Sequence, residues 1–83
     1  MPYVKQERRP ALDKVVDMMA DAKVAADGDL NYILYAYAKR CVEPRYNTLK
    51  NYRAELRETA DEIGRRILAP YEDSAKDRNG DVL

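Results

Sequence analysis

The sequence predicts an all-α protein with three helices, of which the third is the longest. Gly and Pro residues divide the 83-residue chain into three long segments. Within each segment, apolar residues recur every three or four positions, which is the spacing of one face of an α-helix. No segment alternates apolar and polar residues as a half-buried β-strand does. Because a chain of this length can bury only one small core, residues 1–83 are expected to form a single helical domain.

The first helix is predicted over residues 10–27. Pro10 suits the first turn of a helix, where its missing N–H is not needed. Gly28 is expected to end the helix, because glycine readily adopts the left-handed backbone angles that close many helices. The apolar stripe of this helix comprises Leu12, Val15, Val16, Met19, Ala22 and Ala26.

The second helix is predicted over residues 30–42, with Asp29 as its N-cap and Pro44 as its stop. One face carries Leu30, Ile33, Leu34, Tyr37 and Cys41, which are expected to form the core side. The nearly opposite side carries Tyr32, Tyr35, Ala36 and Lys39. A helix that is apolar on both sides is buried within its own chain or between chains. This second face therefore indicates either a subunit interface or a ligand platform.

The third helix is predicted over residues 48–69, capped by Asn47 or Thr48, with a polar tail over about 73–83. Pro70 is expected to interrupt the helix or to restart it as another turn. Such a helix is about 33 Å long. A globule of this chain length has a diameter of roughly 30 Å, so part of the helix needs a second chain to cover it. We therefore expect a three-helix, bundle-like protomer that is completed by homo-oligomerisation. The expected interface residues are Tyr32, Tyr35, Ala36, Leu49, Tyr52, Leu56, Ile63 and Ile67.

A ligand platform is the functional interpretation of the tyrosine face. Tyrosine rings can stack on a base, while a nearby lysine or arginine can meet a phosphate. The segment between the second and third helices adds basic and polar residues beside a helix start, which favours anions. The alternative is an ordinary capped helix with solvated arginines. The candidate ligand-binding residues are Tyr32, Tyr35, Lys39, Arg40, Arg45, Tyr46, Asn47 and Lys50.

Composition excludes several functional classes. Fifteen basic side chains balance fifteen acidic ones, so long nucleic acids are unsuitable partners. The chain has no His and one Cys, Cys41, which rules out a His-dependent triad, a His/Cys zinc site and an intramolecular disulfide. The single Cys, the missing signal-peptide pattern and the lack of a long apolar run favour a cytoplasmic protein that does not contact membranes. No catalytic residue, metal site or cofactor is predicted.

The spacing of the acidic residues suggests a metal site for a nucleotide hydrolase. Asp13, Asp17 and Asp21 share one helix face, and Glu55, Glu58 and Glu62 form a second stripe. Paired carboxylates from two helices can hold Mg²⁺ for phosphate chemistry. The second helix, however, has no acidic residue between Asp29 and Glu43 that could supply the other carboxylates of such a site. A metal-dependent hydrolase is therefore the least favoured interpretation.

Three motifs together resemble a known family. They are Met1-Pro-Tyr-Val-Lys-Gln-Glu7, Gly28-Asp-Leu-Asn-Tyr32, and Ala69-Pro-Tyr-Glu-Asp73 followed by Asn79-Gly-Asp-Val82. With them the chain resembles a family of short phage and bacterial all-α proteins of uncharacterised function. The resemblance implies a phage or prophage origin but no established activity. Gly64-Arg65-Arg66 replaces the Tyr-Arg-Arg of the family pattern, so no role for an aromatic at this position is carried over.

Together these features favour a small phage-type homo-oligomeric binding protein, not an enzyme. Its expected ligand is a small anion or nucleotide held between subunits, by analogy with oligomeric phage proteins that sequester nucleotide signals. The alternative is a structural or protein-interaction module without a small ligand. A partner that covers Tyr32 and Tyr35 is expected in both cases.

Overall fold

The computed structural model describes residues 4–82. The first three residues of the Met1–Glu7 motif, Tyr3 among them, and Leu83 lie outside the described residues. Between residues 4 and 82 the chain forms three helices and no strand, which confirms the predicted fold class. None of these helices is long and apolar enough to cross a membrane.

Helix α1 spans Arg9–Asp21 and follows a 3₁₀ turn at Gln6–Arg8. It ends before the predicted residue 27, because Lys23 adopts the left-handed backbone conformation, with a φ of 55°. The amide of Lys23 donates to the carbonyl of Ala20 (3.0 Å), and the amide of Val24 donates to the carbonyl of Met19 (3.1 Å). This bonding pattern is a Schellman motif, which satisfies carbonyls at the end of a helix. Lys23 thus occupies the left-handed C′ position that ends the helix, where a glycine was expected.

Helix α2 spans Gly28–Cys41, and its N-cap is Asp27, not the expected Asp29. The Asp27 carboxylate accepts a hydrogen bond from the amide of Asp29 (3.1 Å). The Asp29 carboxylate in turn accepts one from the amide of Ala25 (3.1 Å). Two backbone donors are therefore satisfied by two aspartates, and Gly28 begins α2 instead of ending α1.

The third helix begins at Tyr46 and ends at Asn79, beyond both predicted ends. Its parts are α3 (Tyr46–Ile63), a π-helical turn (Gly64–Leu68) and α4 (Ala69–Asn79), which together form one 34-residue helix, here called the long helix. The π turn interrupts the regular α-helical pattern, and Pro70, just after it, does not end the helix. Gly80, with a φ of 83°, closes it, and most of the predicted polar tail is therefore helical.

The described residues form two compact units, residues 4–49 and residues 50–82. In the first unit the half-buried apolar side chains include Leu12, Met19, Leu30, Ile33 and Leu34. In the second unit the half-buried residues are Tyr52, Glu62, Gly64 and Ala75. No described residue in either unit is fully buried. The described chain therefore lacks the closed apolar core that normally stabilises a globular domain.

Candidate functional site

The tyrosine face of α2 consists of Tyr32, Tyr35 and Lys39, which share one side of the helix by their spacing. Tyr32 is 66% exposed and Tyr35 is 67% exposed. Lys39 is exposed as well, and Ala36 beside them is half-buried. Two adjacent aromatic rings thus lie in solvent on a helix that is well fixed at its start. This arrangement offers flat apolar surfaces with a cation one turn away.

The opposite face of α2 is less enclosed than its sequence suggests. Leu30, Ile33 and Leu34 are half-buried, whereas Tyr37 is 57% exposed and Cys41 is an exposed free thiol. Cys41 is therefore not the core residue that its position on the helix predicted. The periodicity identified the half-buried side of α2 but not its extent, since it cannot show how many neighbours cover a face.

The turn between α2 and α3 is held by local hydrogen bonds. The Thr48 hydroxyl donates to the carbonyls of Glu43 and Arg45. The amide of Arg45 donates to the carbonyl of Glu43 (2.7 Å) across Pro44. Thr48, expected as a cap that accepts from backbone amides, therefore acts as a donor from within the first turn of α3. This difference follows from the earlier start of α3 at Tyr46.

Arg45 has an anionic partner of its own in this turn. Its Nε lies 2.8 Å from Oε1 of Glu43, with both side chains more than half exposed. A guanidinium in such a pair remains accessible to a second anion, but the carboxylate reduces the local positive potential. The sequence-based prediction of Arg45 as an anion-binding residue did not include this neighbour.

Three of the remaining candidate residues belong to the first unit, and one belongs to the second. Arg40 lies in the last turn of α2, where a cation also complements the helix dipole. Tyr46 is 78% exposed and Asn47 is exposed at the start of α3. Lys50 is exposed in the second unit. The candidate ligand residues of the first unit therefore form two groups, the tyrosine face and the α2–α3 turn, both open to solvent.

Acidic side chains form no metal centre in the part of the chain that the structure describes. No group of three or more His, Cys, Asp or Glu residues there could hold a metal ion. Glu62 instead lies beside two cations, in ion pairs with Arg65 and with Arg66, the latter at 3.7 Å. Within the second acid stripe, Glu62 thus forms ion pairs along the long helix.

Comparison with known proteins places the chain in a family. The family described as a domain of unknown function (DUF6899) matches residues 1–82. The chain belongs to the DUF6899 family. This match confirms the expected membership in a family of uncharacterised short proteins, although the family carries no assigned activity or site residues. No curated protein and no solved structure matches this DUF6899 chain.

Proposed function

We propose that this protein is a homo-oligomeric helical binding protein that holds a small anionic ligand, such as a nucleotide, between its subunits. The observation that carries the proposal is the absence of any buried side chain among residues 4–82. A chain without a core must gain apolar burial elsewhere to offset the entropy of folding. Copies of itself are the simplest source, because closed homo-oligomers are the commonest soluble assemblies.

The tyrosine face supports the ligand part of the proposal. Tyr32 and Tyr35 expose about two thirds of their surface on a capped helix, and tyrosine is enriched where protein surfaces become covered. A base stacked on these rings would leave its phosphate within reach of Lys39 or of Arg40 in the last turns of α2. A second subunit that covers this face would exclude water and strengthen such contacts.

The α2–α3 turn supports an anion rather than a neutral ligand. Arg45 and Asn47 add donors after the α2 cations, and Tyr46 adds a further exposed ring. These residues would bind phosphate oxygens by charge-assisted hydrogen bonds, which are about twice as strong as neutral ones. The resemblance given above also leads us to propose a phage or prophage origin and action in the host cytoplasm.

The oligomer is tested by light scattering and native mass spectrometry of the purified full chain. We expect a mass that is a multiple of the 9.6 kDa protomer. Protein purified from cells that carry the phage would reveal a co-purifying ligand in the same spectrum. A monomer at concentrations up to about 100 μM would contradict the proposal, because an interface too weak to assemble there would leave the chain without a core.

The ligand is tested separately by thermal shift with nucleotides, cyclic nucleotides and inorganic phosphate. We expect stabilisation by at least one nucleotide, and loss of that shift in the Tyr32→Ala/Tyr35→Ala and Lys39→Ala variants. Lys14→Ala, on the exposed surface of α1, is the matched control and should leave the shift unchanged. If an oligomer forms but none of these compounds stabilises it, the protein is the structural or protein-interaction module, and the ligand part is wrong.

A further inference from the structure

The long helix carries an exposed apolar stripe within residues 50–82. Leu56 is 37% exposed, Ile63 49%, Leu68 51% and Tyr71 63%. Tyr52 and Ala75 lie on the same helix and are half-buried. From Tyr52 the apolar residues follow at intervals of four, four and three, through Ala60 to Ile63, which keeps them on one face.

The π turn at Gly64–Leu68 decides which residues continue this face. At about 100° per residue, an uninterrupted α-helix would place Leu68, Tyr71 and Ala75 well to one side of it. A π turn contains roughly one residue more than an α-helical turn. Every later residue is therefore rotated back by about 100° around the helix axis, relative to its position in an uninterrupted α-helix. Leu68, Tyr71 and Ala75 thereby line up with the preceding residues, and Ile67 moves to the edge. We call the resulting seven-residue surface the long stripe: Tyr52, Leu56, Ala60, Ile63, Leu68, Tyr71 and Ala75.

Charged residues along the two edges of the long stripe change sign at the π turn. Before the turn, Arg53 and Arg57 follow one edge, and Glu55 and Glu62 follow the other. After the turn, the first edge carries Glu72 and the second carries Arg78. Lys76 also lies towards the first edge, but it pairs with Asp73 (3.7 Å) and Asp81 (3.8 Å).

We propose that the long stripe packs antiparallel against the same stripe of a second copy of this chain, with the two-fold axis at Ile63 and Gly64. The proposal rests on the homo-oligomer proposed above and names its interface. In an antiparallel pair, each edge of the stripe lies beside the same edge of the partner, which runs in the opposite direction. The part of an edge before the π turn therefore faces the part of the partner's edge after it. Arg57 then lies near the partner's Glu72. On the second edge, Glu62 already pairs with Arg66 of its own chain, and the partner's Arg66 lies near it as a further cation. The change of sign along each edge is what makes the surface complementary to itself.

Side-chain size supports the same register. About the axis, Tyr52 faces the partner's Ala75, and Ala60 faces the partner's Leu68, so large residues meet small ones. In each of these two pairs, the two residues are separated from the axis by the same number of residues, to within one. A parallel pair in register would instead place tyrosine against tyrosine and alanine against alanine, which leaves gaps beside Ala60.

Gly64 provides the room for close approach at the axis. A Cβ built on this glycine meets no atom within 4 Å, so the position is open on its own chain. In the proposed pair that space is filled by the partner's Ile63. Glycine weakens the interior of a helix, and nothing in the described part of the single chain requires it at position 64. In the dimer it would allow the two helices to pack closely at the two-fold axis.

Single-cysteine variants of the full chain test the register, in a Cys41→Ser background. Tyr52→Cys mixed with Ala75→Cys should form a mixed disulfide under mild oxidation, whereas each variant alone should not cross-link. Ile63→Cys, at the axis, should cross-link to itself. Glu58→Cys, on the side of the helix away from the stripe, is the matched control and should remain unlinked. Self-linking of Tyr52→Cys without the mixed product, or no linkage by any stripe variant, would overturn the proposal.

A second pair of variants separates this inference from the proposed function. Leu68→Glu places a charge in the stripe and should raise the dissociation constant by at least about tenfold, while Ile67→Glu at the edge should change it less. Circular dichroism verifies that both variants remain helical. An oligomeric wild type that Leu68→Glu does not weaken contradicts only the interface named here. A monomeric wild type contradicts both proposals.

Discussion

The amide of Ala69 donates its hydrogen bond to the carbonyl of Gly64, five residues earlier, where a regular α-helix would use the carbonyl four residues earlier. Pro70 follows directly and has no N–H to donate. In an uninterrupted helix its ring would also press against the carbonyl of Arg66. The π turn just before the proline adds one residue to the helical turn and so relieves the clash between the ring and this carbonyl. The helix therefore continues through Pro70 to Asn79.

Replacement of Pro70 should therefore strengthen the helix and weaken the proposed dimer. Pro70→Ala restores the missing donor, and proline costs about 3 kcal/mol relative to alanine in a helix interior. The π turn then has no cause, and Leu68, Tyr71 and Ala75 rotate away from Ile63. We expect unchanged or higher helicity by circular dichroism, with a dissociation constant raised at least about tenfold by sedimentation equilibrium. Pro10→Ala, in the first turn of α1, should alter neither quantity, and equal effects of both variants would refute this explanation.

Lys23→Gly should stabilise the chain. Lys23 holds a left-handed conformation that costs a residue with a Cβ roughly 1 kcal/mol, and glycine adopts it without that cost. We expect the free energy of unfolding, from urea titration, to rise by about 1 kcal/mol. Lys14→Gly, within α1, should lower it by a similar amount. If both glycine variants destabilise the chain equally, the Schellman closure at Lys23 does not form in solution.

Asp27→Ala should shorten or fray α2. The substitution removes the acceptor for the amide of Asp29, and loss of an N-cap costs about 0.5–2 kcal/mol. Thermal denaturation should show the decrease, while Asp27→Asn retains most of the stability because asparagine caps equally well. Asp17→Ala, an exposed acid within α1, serves as control. An Asp17→Ala effect as large as that of Asp27→Ala would argue against a specific cap.

Thr48→Val should loosen the α2–α3 turn. The variant keeps the shape of the side chain but loses the hydroxyl that donates to the carbonyls of Glu43 and Arg45. We expect a loss of about 1 kcal/mol in unfolding free energy. Thr48→Ser retains the donor and should recover most of it. Protection of the turn amides from hydrogen exchange should fall in Thr48→Val alone; equal protection in both variants would show that the hydroxyl is not needed.

Glu43→Gln should increase affinity for an anionic ligand. The carboxylate of Glu43 lies against the Arg45 guanidinium, so its removal leaves a stronger positive potential at the turn. We expect the dissociation constant for a nucleotide that the thermal-shift screen identifies to fall about two- to fivefold, with a larger effect at low salt. Glu58→Gln, an exposed acid elsewhere, should leave affinity unchanged. No difference between the two variants would place the ligand away from Arg45.

Helical periodicity was sufficient to predict three helices and the long third one, because apolar spacing reports the average environment of a segment. It misplaced the helix ends where an atypical residue takes a specialised position. Lys23 occupies a site usually held by glycine, and the π turn lets a helix continue through Pro70. Both depend on the backbone hydrogen bonds of a few residues, which composition does not encode.

In the candidate site, too, helix geometry was predictable from the sequence, whereas local contacts were not. The spacing of Tyr32, Tyr35 and Lys39 predicts a shared face, since helix geometry alone determines it once α2 is helical. The pairing of Arg45 with Glu43 could not be predicted, because it depends on how the chain turns at Pro44. The exposure of Cys41 was likewise missed, since it depends on what covers α2 rather than on the helix itself.

In the proposed homo-oligomer, the lack of any buried side chain in residues 4–82 would link the survival of this protein to its abundance. If copies of the chain supply each other's apolar burial, folding is a bimolecular reaction, and the melting temperature rises with protein concentration. Newly made chains at low expression would then remain open to proteases, whereas chains above the dissociation constant would accumulate. In that case the amount of folded protein in a cell would rise more steeply than the amount synthesised.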